Sequence, residues 1–328
     1  MNAVPDDRPA FPGTPLLLDV TIRDGGYVNG HEWTVPQARS VVRTVAAAGV
    51  PFVEVGYLRE AASGPLTPSA RCEPDYLEAL AAVAGATGLA VMVRPGEVSP
   101  RAVKGLADIG VRMVRVLAGR LGVDAAVPFV EAAAEEGLLP VVNLTHASTH
   151  SAARLAGAVA RAARVGARIV YLADSNGSLY PHETAERVRA AVEAAADATV
   201  GFHPHDNLGL AFANTVAALG AGARAVDASI GGIGKGGGNL RLELIAAHLV
   251  RHAGADLRLD PLMDEQVTAP VRMKMILDAG AGAMMTGMLD VSLEQSRGFR
   301  EQAAVRGYDA LLRADAYPAP SLGGTAIG

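Results

Sequence analysis

Apolar, β-branched runs recur along this chain about every 20 to 30 residues, separated by stretches whose apolar positions return every three or four residues. The runs fall at residues 16–22, 52–58, 89–94, 113–117, 140–145, 169–173, 200–205 and 225–230, and each reads as a strand. The stretches between them, such as 183–196 and 207–221, are rich in Ala, Arg and Glu and read as amphipathic helices. Gly49, Gly110, Gly137, Gly166 and Gly222 stand where such helices should stop. Eight alternating units in about 240 residues match a (β/α)8 barrel in number and size. A doubly wound sheet would need a glycine-rich phosphate turn after its first strand. This chain has Arg23-Asp24-Gly25-Gly26 there, so the barrel is favoured.

That reading divides the chain into a flexible arm (1–15), a barrel (16–258), additional C-terminal helices (259–315) and a Pro/Gly-rich flexible tail (316–328). The helical extension is long enough to cap the barrel or to form an interface. A hydrophobic fraction of 50% admits a large core. The net charge of −5 and the lack of any Lys/Arg run argue against a nucleic-acid surface. The first fifteen residues lack the apolar stretch of a signal peptide, and no apolar span reaches membrane length. With Cys72 as its one cysteine, the chain is expected to be soluble and cytoplasmic.

In a closed barrel the C-terminal strand ends converge, and strand eight lies between strands seven and one. Arg23 and Asp24 fall at the end of the first strand, Ser175 after the sixth, and His203 and His205 at the end of the seventh. Residues two apart on a strand face the same side, so the two imidazoles point together. With the Asp24 carboxylate they form a facial N/O donor set with open positions, suited to Mn²⁺, Co²⁺, Zn²⁺ or Mg²⁺. An HxH pair alone is more often a hydrogen-bonded core feature. Asp24 on the neighbouring strand and Asn239 in the adjoining loop turn the balance to a metal. Arg23 is useful beside a metal where negative charge develops, as on the enolate of a 2-oxo acid; its bland alternative is an ion pair with Asp19 or Glu54. Tyr27, three residues past Asp24, could hold a proton donor over the metal or simply pack.

The glycine-rich loop 231–239 contains a formal GxGxxG, but without the surrounding βαβ context that match is weak. Close backbone approach to an anion or to the metal's surroundings is the better reading, with Asn239 capping the next helix and Lys235 either a phosphate contact or solvated. A Schiff-base aldolase needs a lysine inside the barrel. Lys104, Lys235 and Lys274 all lie off the strands, so metal chemistry is preferred. Cys72 reads as an ordinary thiol. His146 and His150 either line the site or cap a helix, and His31, His182, His248 and His252 read as surface or packing residues.

Asp19-x-Thr21-x-Arg23-Asp24-Gly25, His203-x-His205-x-Asn207 and Gly238-Asn239, in that order, resemble the DRE-TIM metallolyase superfamily. Its members include 3-hydroxy-3-methylglutaryl-CoA lyase, isopropylmalate and homocitrate synthases, and 4-hydroxy-2-oxovalerate aldolases. The chain looks most like those aldolases through Asp174-Ser175, His205-Asp206-Asn207-Leu208, Ala213-Asn214, Val226-Asp227-Ala228-Ser229 and Leu262-Met263-Asp264. The resemblance implies that Asp24, His203 and His205 are metal ligands, that Arg23 stabilises the enolate and that Ser175 contacts the substrate carboxylate. Asn239 matches a position that ligates metal in the lyase branch. Manganese is the first metal the resemblance suggests.

Two departures stand out. The aldolases carry a histidine where this chain has Tyr27, and a catalytic tyrosine in the C-terminal region, where residues 280–287 contain none. The leading expectation is a class II aldolase that cleaves or forms a 4-hydroxy-2-oxo acid through a metal-bound pyruvate enolate, with an aldehyde as second partner. The alternatives are an acyl-CoA-dependent Claisen synthase or lyase on the same scaffold, and a catalytically silent barrel that binds a partner. A homodimer through the last helices is expected by analogy. The C-terminal region is shorter than in aldolases that bind an acylating aldehyde dehydrogenase, which leaves such a partner an open alternative.

Overall fold

A computed structural model describes residues 13–60, 66–119, 122–264, 281–307 and 311. Eight parallel strands close into a barrel: β1 (Leu16–Asp19), β2 (Phe52–Leu58), β3 (Gly88–Val93), β4 (Val111–Ala118), β5 (Leu139–Leu144), β6 (Ile169–Asp174), β7 (Thr199–Pro204) and β8 (Ala225–Ala228). β1 closes the ring by pairing with β2 on one side and β8 on the other, Leu18 opposite both Phe52 and Asp227. The (β/α)8 barrel expected from the periodicity is therefore the fold.

The helices form where the local chemistry favours them. Helix Val35–Ala47 starts at a reciprocal cap between Thr34 and Gln37, and helix Ala152–Arg164 starts at Ser151, whose Oγ accepts the Arg154 N–H. The latter buries Leu155, Ala158, Val159 and Ala162 against the strands and leaves Arg161 and Arg164 in its last turn, where cations suit the helix dipole. The third crossover departs from expectation. In place of a helix between β3 and β4 only a 3-10 turn (Pro100–Val103) forms, with Lys104 at its C-cap, followed by turns to Gly110. Pro100 and Gly105, the latter at φ +77°, interrupt the segment.

Strand alternation sorts the barrel interior into layers. Leu16, Leu18, Ala90, Met113, Val141, Ile169 and Ala225 pack together as an apolar floor. Two residues further along their strands, at the next inward position, stand Glu54 after Phe52, Arg115 after Met113, Asp227 after Ala225 and Tyr171 after Ile169. These four side chains are all buried. Gly201 makes room for the Tyr171 ring, since a Cβ there would lie 2.6 Å from its Cδ1. The barrel thus carries a charged layer directly above an oily one.

The C-terminal helices cap the mouth of the barrel. Helix Ala281–Met288 receives the Asn207 Nδ2 hydrogen bond at the Ala283 carbonyl (3.1 Å), and Asp290 accepts from Ser148 (2.8 Å) and Asn176 (2.7 Å). Helix Leu293–Arg306 follows, and Met285, Val291, Phe299 and Ala303 form a small core of their own. Lys274 and the expected arm and tail segments lie outside the described residues, apart from residues 13–15 of the arm. Among those described, no helix is long and apolar enough to cross a membrane.

β1 is shorter than the apolar run suggested. It ends at Asp19, a fully buried carboxylate that accepts the Thr21 N–H (3.1 Å) and Oγ–H (2.6 Å). Burial outweighs those bonds and raises its pKa to about 7. A carboxyl raised above its unfolded value of about 3.9 favours folding most below that value, and the contribution is lost as pH rises through the folded pKa. Urea unfolding should therefore show wild type losing up to a few kcal/mol relative to Asp19→Asn between about pH 4 and pH 7. A pH-independent difference between the two would show that Asp19 is ionised in the fold throughout.

Candidate metal centre

Past Asp19 the chain turns helically, with the Asp24 N–H bonded to the Val20 carbonyl (2.9 Å), and this turn sets Arg23 and Asp24 over the barrel mouth. The turn is tied to the loop after β8 by the Ile230 N–H, which donates to Thr21 Oγ1 (2.8 Å). Arg23 and Asp24 thus sit four and five residues beyond the strand rather than at its end. His203 lies on β7 and His205 one residue past it, where it pairs with Asn239 in an antiparallel bridge.

Asp24, His203 and His205 converge: one donor atom from each lies within 4.8 Å of the other two, and all three residues are buried. The two Nε2 atoms are 3.3 Å apart. Each ring's Nδ1 faces an oxygen that can only accept while Asp227 is ionised: Asp227 Oδ2 at 2.8 Å for His203 and the Gly238 carbonyl at 3.1 Å for His205. Those contacts place the proton on Nδ1. In the neutral form each ring then turns an unshared Nε2 pair toward the other, an arrangement that a cation between them resolves. Burial, with help from His203 and Lys235, lowers the His205 pKa to about 3, so this ring is neutral at ordinary pH. Burial pushes the Asp24 carboxyl upward, but Arg23 and the two imidazoles outweigh it and hold the group well below the usual carboxylate range.

Asn239 completes the set in a way the sequence only hinted at. Its Nδ2 donates to Asp24 Oδ2 (2.9 Å) and to the Ile233 carbonyl (3.1 Å), while its Oδ1 is buried without a partner. A buried acceptor left over beside two imidazoles and a carboxylate suits a hard or borderline divalent cation. The glycine loop is what lets the backbone come this close: a Cβ at Gly234 would lie 2.3 Å from Asn239 Nδ2 and 2.8 Å from Asp24 Oδ2. Asn239 does not cap the next helix as expected, since helix Leu242–Ala253 has Arg241 at its N-cap; Asn239 is held in the loop by its bonds to Asp24 and Ile233.

Arg23 bonds Glu54 Oε2 through Nε (2.5 Å) and Asp24 through Nη1, so the ion pair with Glu54 exists, and the one with Asp19 does not. Its Nη2 is buried with no partner, a donor held beside the triad. Glu54 also takes Arg115 Nη1 (3.1 Å), Arg115 Nη2 reaches Asp227 (2.6 Å), and Asp227 holds His203. A buried chain of alternating charge therefore runs from Asp24 through Arg23, Glu54, Arg115 and Asp227 to His203. Sequence reading missed Arg115, and had no role for Asp227; a charge inside an apolar run, Arg115 within 113–117 and Asp227 within 225–230, was the signal.

Tyr27 lies beyond this chain at the rim. Its hydroxyl is 2.8 Å from that of Tyr57, and the side chain is more than a third exposed. Ser175 sits past β6, where its Oγ accepts the His146 N–H (2.9 Å); no hydrogen bond joins it to the triad among the described residues. His31, read as a surface or packing residue, is 6% exposed with φ +61°. Its Nδ1 is unpartnered against Gly26, where a Cβ would come within 2.1 Å, and its ring meets Tyr27 and Tyr57 edge-on. Burial, then Arg59 and Arg23, lowers its pKa to about 4. Tyr27 and His31, with Arg59, Arg94, Lys235 and Glu294, border a cavity of about 340 Å³. Cys72 is buried and burial drives its thiol pKa upward, in keeping with an inert thiol.

Residues 14–271 match the HMGL-like family model, and the chain belongs to that family of carbon–carbon lyases. A 4-hydroxy-2-oxovalerate aldolase of Thermus thermophilus is 35% identical over 264 residues, covering 78% of this chain and 76% of that protein. An oxaloacetate decarboxylase of Mycobacterium tuberculosis is 34% identical over 252 residues, covering 76% of this chain and 74% of that protein. Among solved structures, the N-terminal domain of a putative aldolase from Bacteroides vulgatus superposes with a TM-score of 0.77 at 22% identity, covering 91% of this chain and 99% of that one. The carboxyl transferase domain of Rhizobium etli pyruvate carboxylase superposes at 0.67 with 19% identity, over 93% of this chain and 55% of that one. Both structural likenesses concern the barrel fold.

Asp227→Asn keeps the shape but weakens the carboxylate that orients His203. Titration calorimetry with Mn²⁺ should show affinity reduced about 10- to 100-fold. Unchanged affinity would mean that His203 is not a ligand or needs no orienting partner.

Proposed function

We propose that the protein is a divalent-metal-dependent aldolase that forms or cleaves a 4-hydroxy-2-oxo acid by way of the enolate of pyruvate. The observation that carries this reading is the unpartnered, buried Nη2 of Arg23 beside the Asp24, His203, His205 and Asn239 donors. A bound divalent cation, Mn²⁺ first among those to try, would supply Lewis acidity at the 2-oxo group. The relatives named 4-hydroxy-2-oxovalerate aldolase support the same class of substrate.

The side chains divide the work. Arg23 donates through Nη2 to the oxygen on which charge develops, and Glu54 and Asp24 fix its guanidinium so that it need not reorganise. Ser175, at the end of β6, receives the substrate carboxylate. Tyr27 gives or takes the proton at the 4-hydroxyl oxygen. Burial keeps Tyr57 a phenol, able to donate to Tyr27, and the neutral His31 ring packs against both. The expected homo-oligomer would use the outer face of the last helices, where Met284, Met288 and Val305 are exposed.

A second reading rests on the Mycobacterium tuberculosis relative and on Tyr27 replacing the aldolases' histidine. Loss of carbon dioxide from oxaloacetate yields the same enolate and needs no aldehyde, so carbon dioxide release from oxaloacetate without condensation would select it.

With Mn²⁺ and pyruvate in D₂O, proton NMR should show metal-dependent loss of the methyl signal. Arg23→Met should slow that loss by about 100-fold or more, with partial recovery in Arg23→Lys. Exchange that ignores both the metal and Arg23 would refute the enolate role, and absence of exchange would favour the acyl-CoA-dependent chemistry. Asp24→Asn should bind less metal; unchanged metal content without turnover in either protein would point to a silent barrel.

A further inference from the structure

The cavity above the metal donors is lined with cations that pyruvate does not need. Arg59, Arg94 and Lys235 border it together with Tyr27 and Glu294. Arg59 and Arg94 come from the ends of β2 and β3 and share one carboxylate, Glu97, at 2.6 and 2.9 Å. Arg59 also lies over the Tyr57 ring, 4.3 Å from its centroid, which fixes its plane. Lys235 forms no side-chain hydrogen bond or ion pair among the described residues, although Glu294 stands across the same cavity. Three cations face two carboxylates, leaving one positive charge in excess.

The cavity is also joined to the reaction site. The Lys235 backbone N–H donates to Asp24 Oδ2 (3.2 Å) while its side chain turns outward, and Tyr27 lies three residues past Asp24. A short neutral aldehyde entering here would displace water from Arg94 and Lys235 and return no hydrogen bond to them. An aldehyde with an anionic tail would satisfy them.

We propose that the second substrate is an aldehyde bearing a carboxylate or phosphate group, seated with its carbonyl oxygen at Tyr27 and its anionic end among Arg59, Arg94 and Lys235. This deepens the aldolase reading and rests on it. In the condensing direction C3 of the pyruvate enolate bonds to the aldehyde carbon. The carbonyl electron pair moves to its oxygen, which takes the Tyr27 proton and becomes the 4-hydroxyl. Tyr27, exposed at the rim and bonded to the Tyr57 hydroxyl, regains a proton from solvent, which balances the one that C3 gave up to solvent when the enolate formed, and cleavage is the reverse.

The test compares kcat/KM for glycolaldehyde phosphate, succinic semialdehyde and propanal with the Mn²⁺-loaded enzyme and pyruvate, alongside methyl exchange in D₂O. One of the two anionic aldehydes should exceed propanal by about 100-fold, and which one does so tells phosphate from carboxylate. Arg94→Met and Lys235→Met should each shrink that ratio about tenfold or more, with Arg94→Lys keeping part of it. Methyl exchange accompanied by equal or better use of propanal would overturn this proposal and leave the aldolase reading standing. Absence of exchange would overturn both.

Discussion

The structure depends on a line of alternating charges buried inside the barrel. Asp24, Glu54 and Asp227 bring three carboxylates, and Arg23 and Arg115 bring two guanidiniums, all at 4% exposure or less. Such a line is costly to bury unless each charge is neutralised and hydrogen-bonded by its neighbour. It ends in the His203 imidazole and carries one negative charge in excess, at the point where two Nε2 atoms and the Asn239 oxygen lack a partner of opposite character. A divalent cation there answers both deficits. The candidate metal centre and the fold's internal electrostatics are one arrangement.

The same line couples the groups proposed to act on substrate. Arg23 is fixed by Glu54, Glu54 by Arg115, Arg115 by Asp227, and Asp227 orients His203. Tyr171 supports the middle of the line, its ring 4.4 Å from the Arg115 guanidinium carbon. For the proposed enolate chemistry, the cost of reorganising charge is thereby met during folding, when the layers assemble. Above the line, the C-terminal helices cover the mouth through Asn207, Asn176 and Ser148, and Glu294 closes one side of the outer cavity.

Much of this was legible in the sequence. Dense apolar, β-branched runs located all eight strands within a few residues, because a strand buried on both faces leaves a near-continuous apolar signature. The candidate ligand set was legible once ring closure brought the ends of strands seven and one to either side of strand eight, since the HxH pair ends one apolar run and Asp24 follows another. What stayed hidden depends on three-dimensional neighbours. Arg115 looks like a solvated charge until its strand is known to point it inward at Glu54 and Asp227. His31 sits in a polar turn, and only the tight Gly26 contact shows its ring folded back against Tyr27. Asn239 reads equally well as a helix cap until the loop is seen carrying it to Asp24. The cationic cavity joins β2, β3 and the glycine loop, which no spacing rule connects.

The most direct test is anomalous diffraction at the manganese edge from crystals grown with Mn²⁺ and pyruvate. The account predicts one strong peak at ordinary ligand distance, about 2.0–2.3 Å, from Asp24 and both Nε2 atoms, with Arg23 Nη2 hydrogen-bonded to the bound 2-oxo acid. A peak elsewhere, or no peak with the two imidazoles hydrogen-bonded to each other, would contradict it.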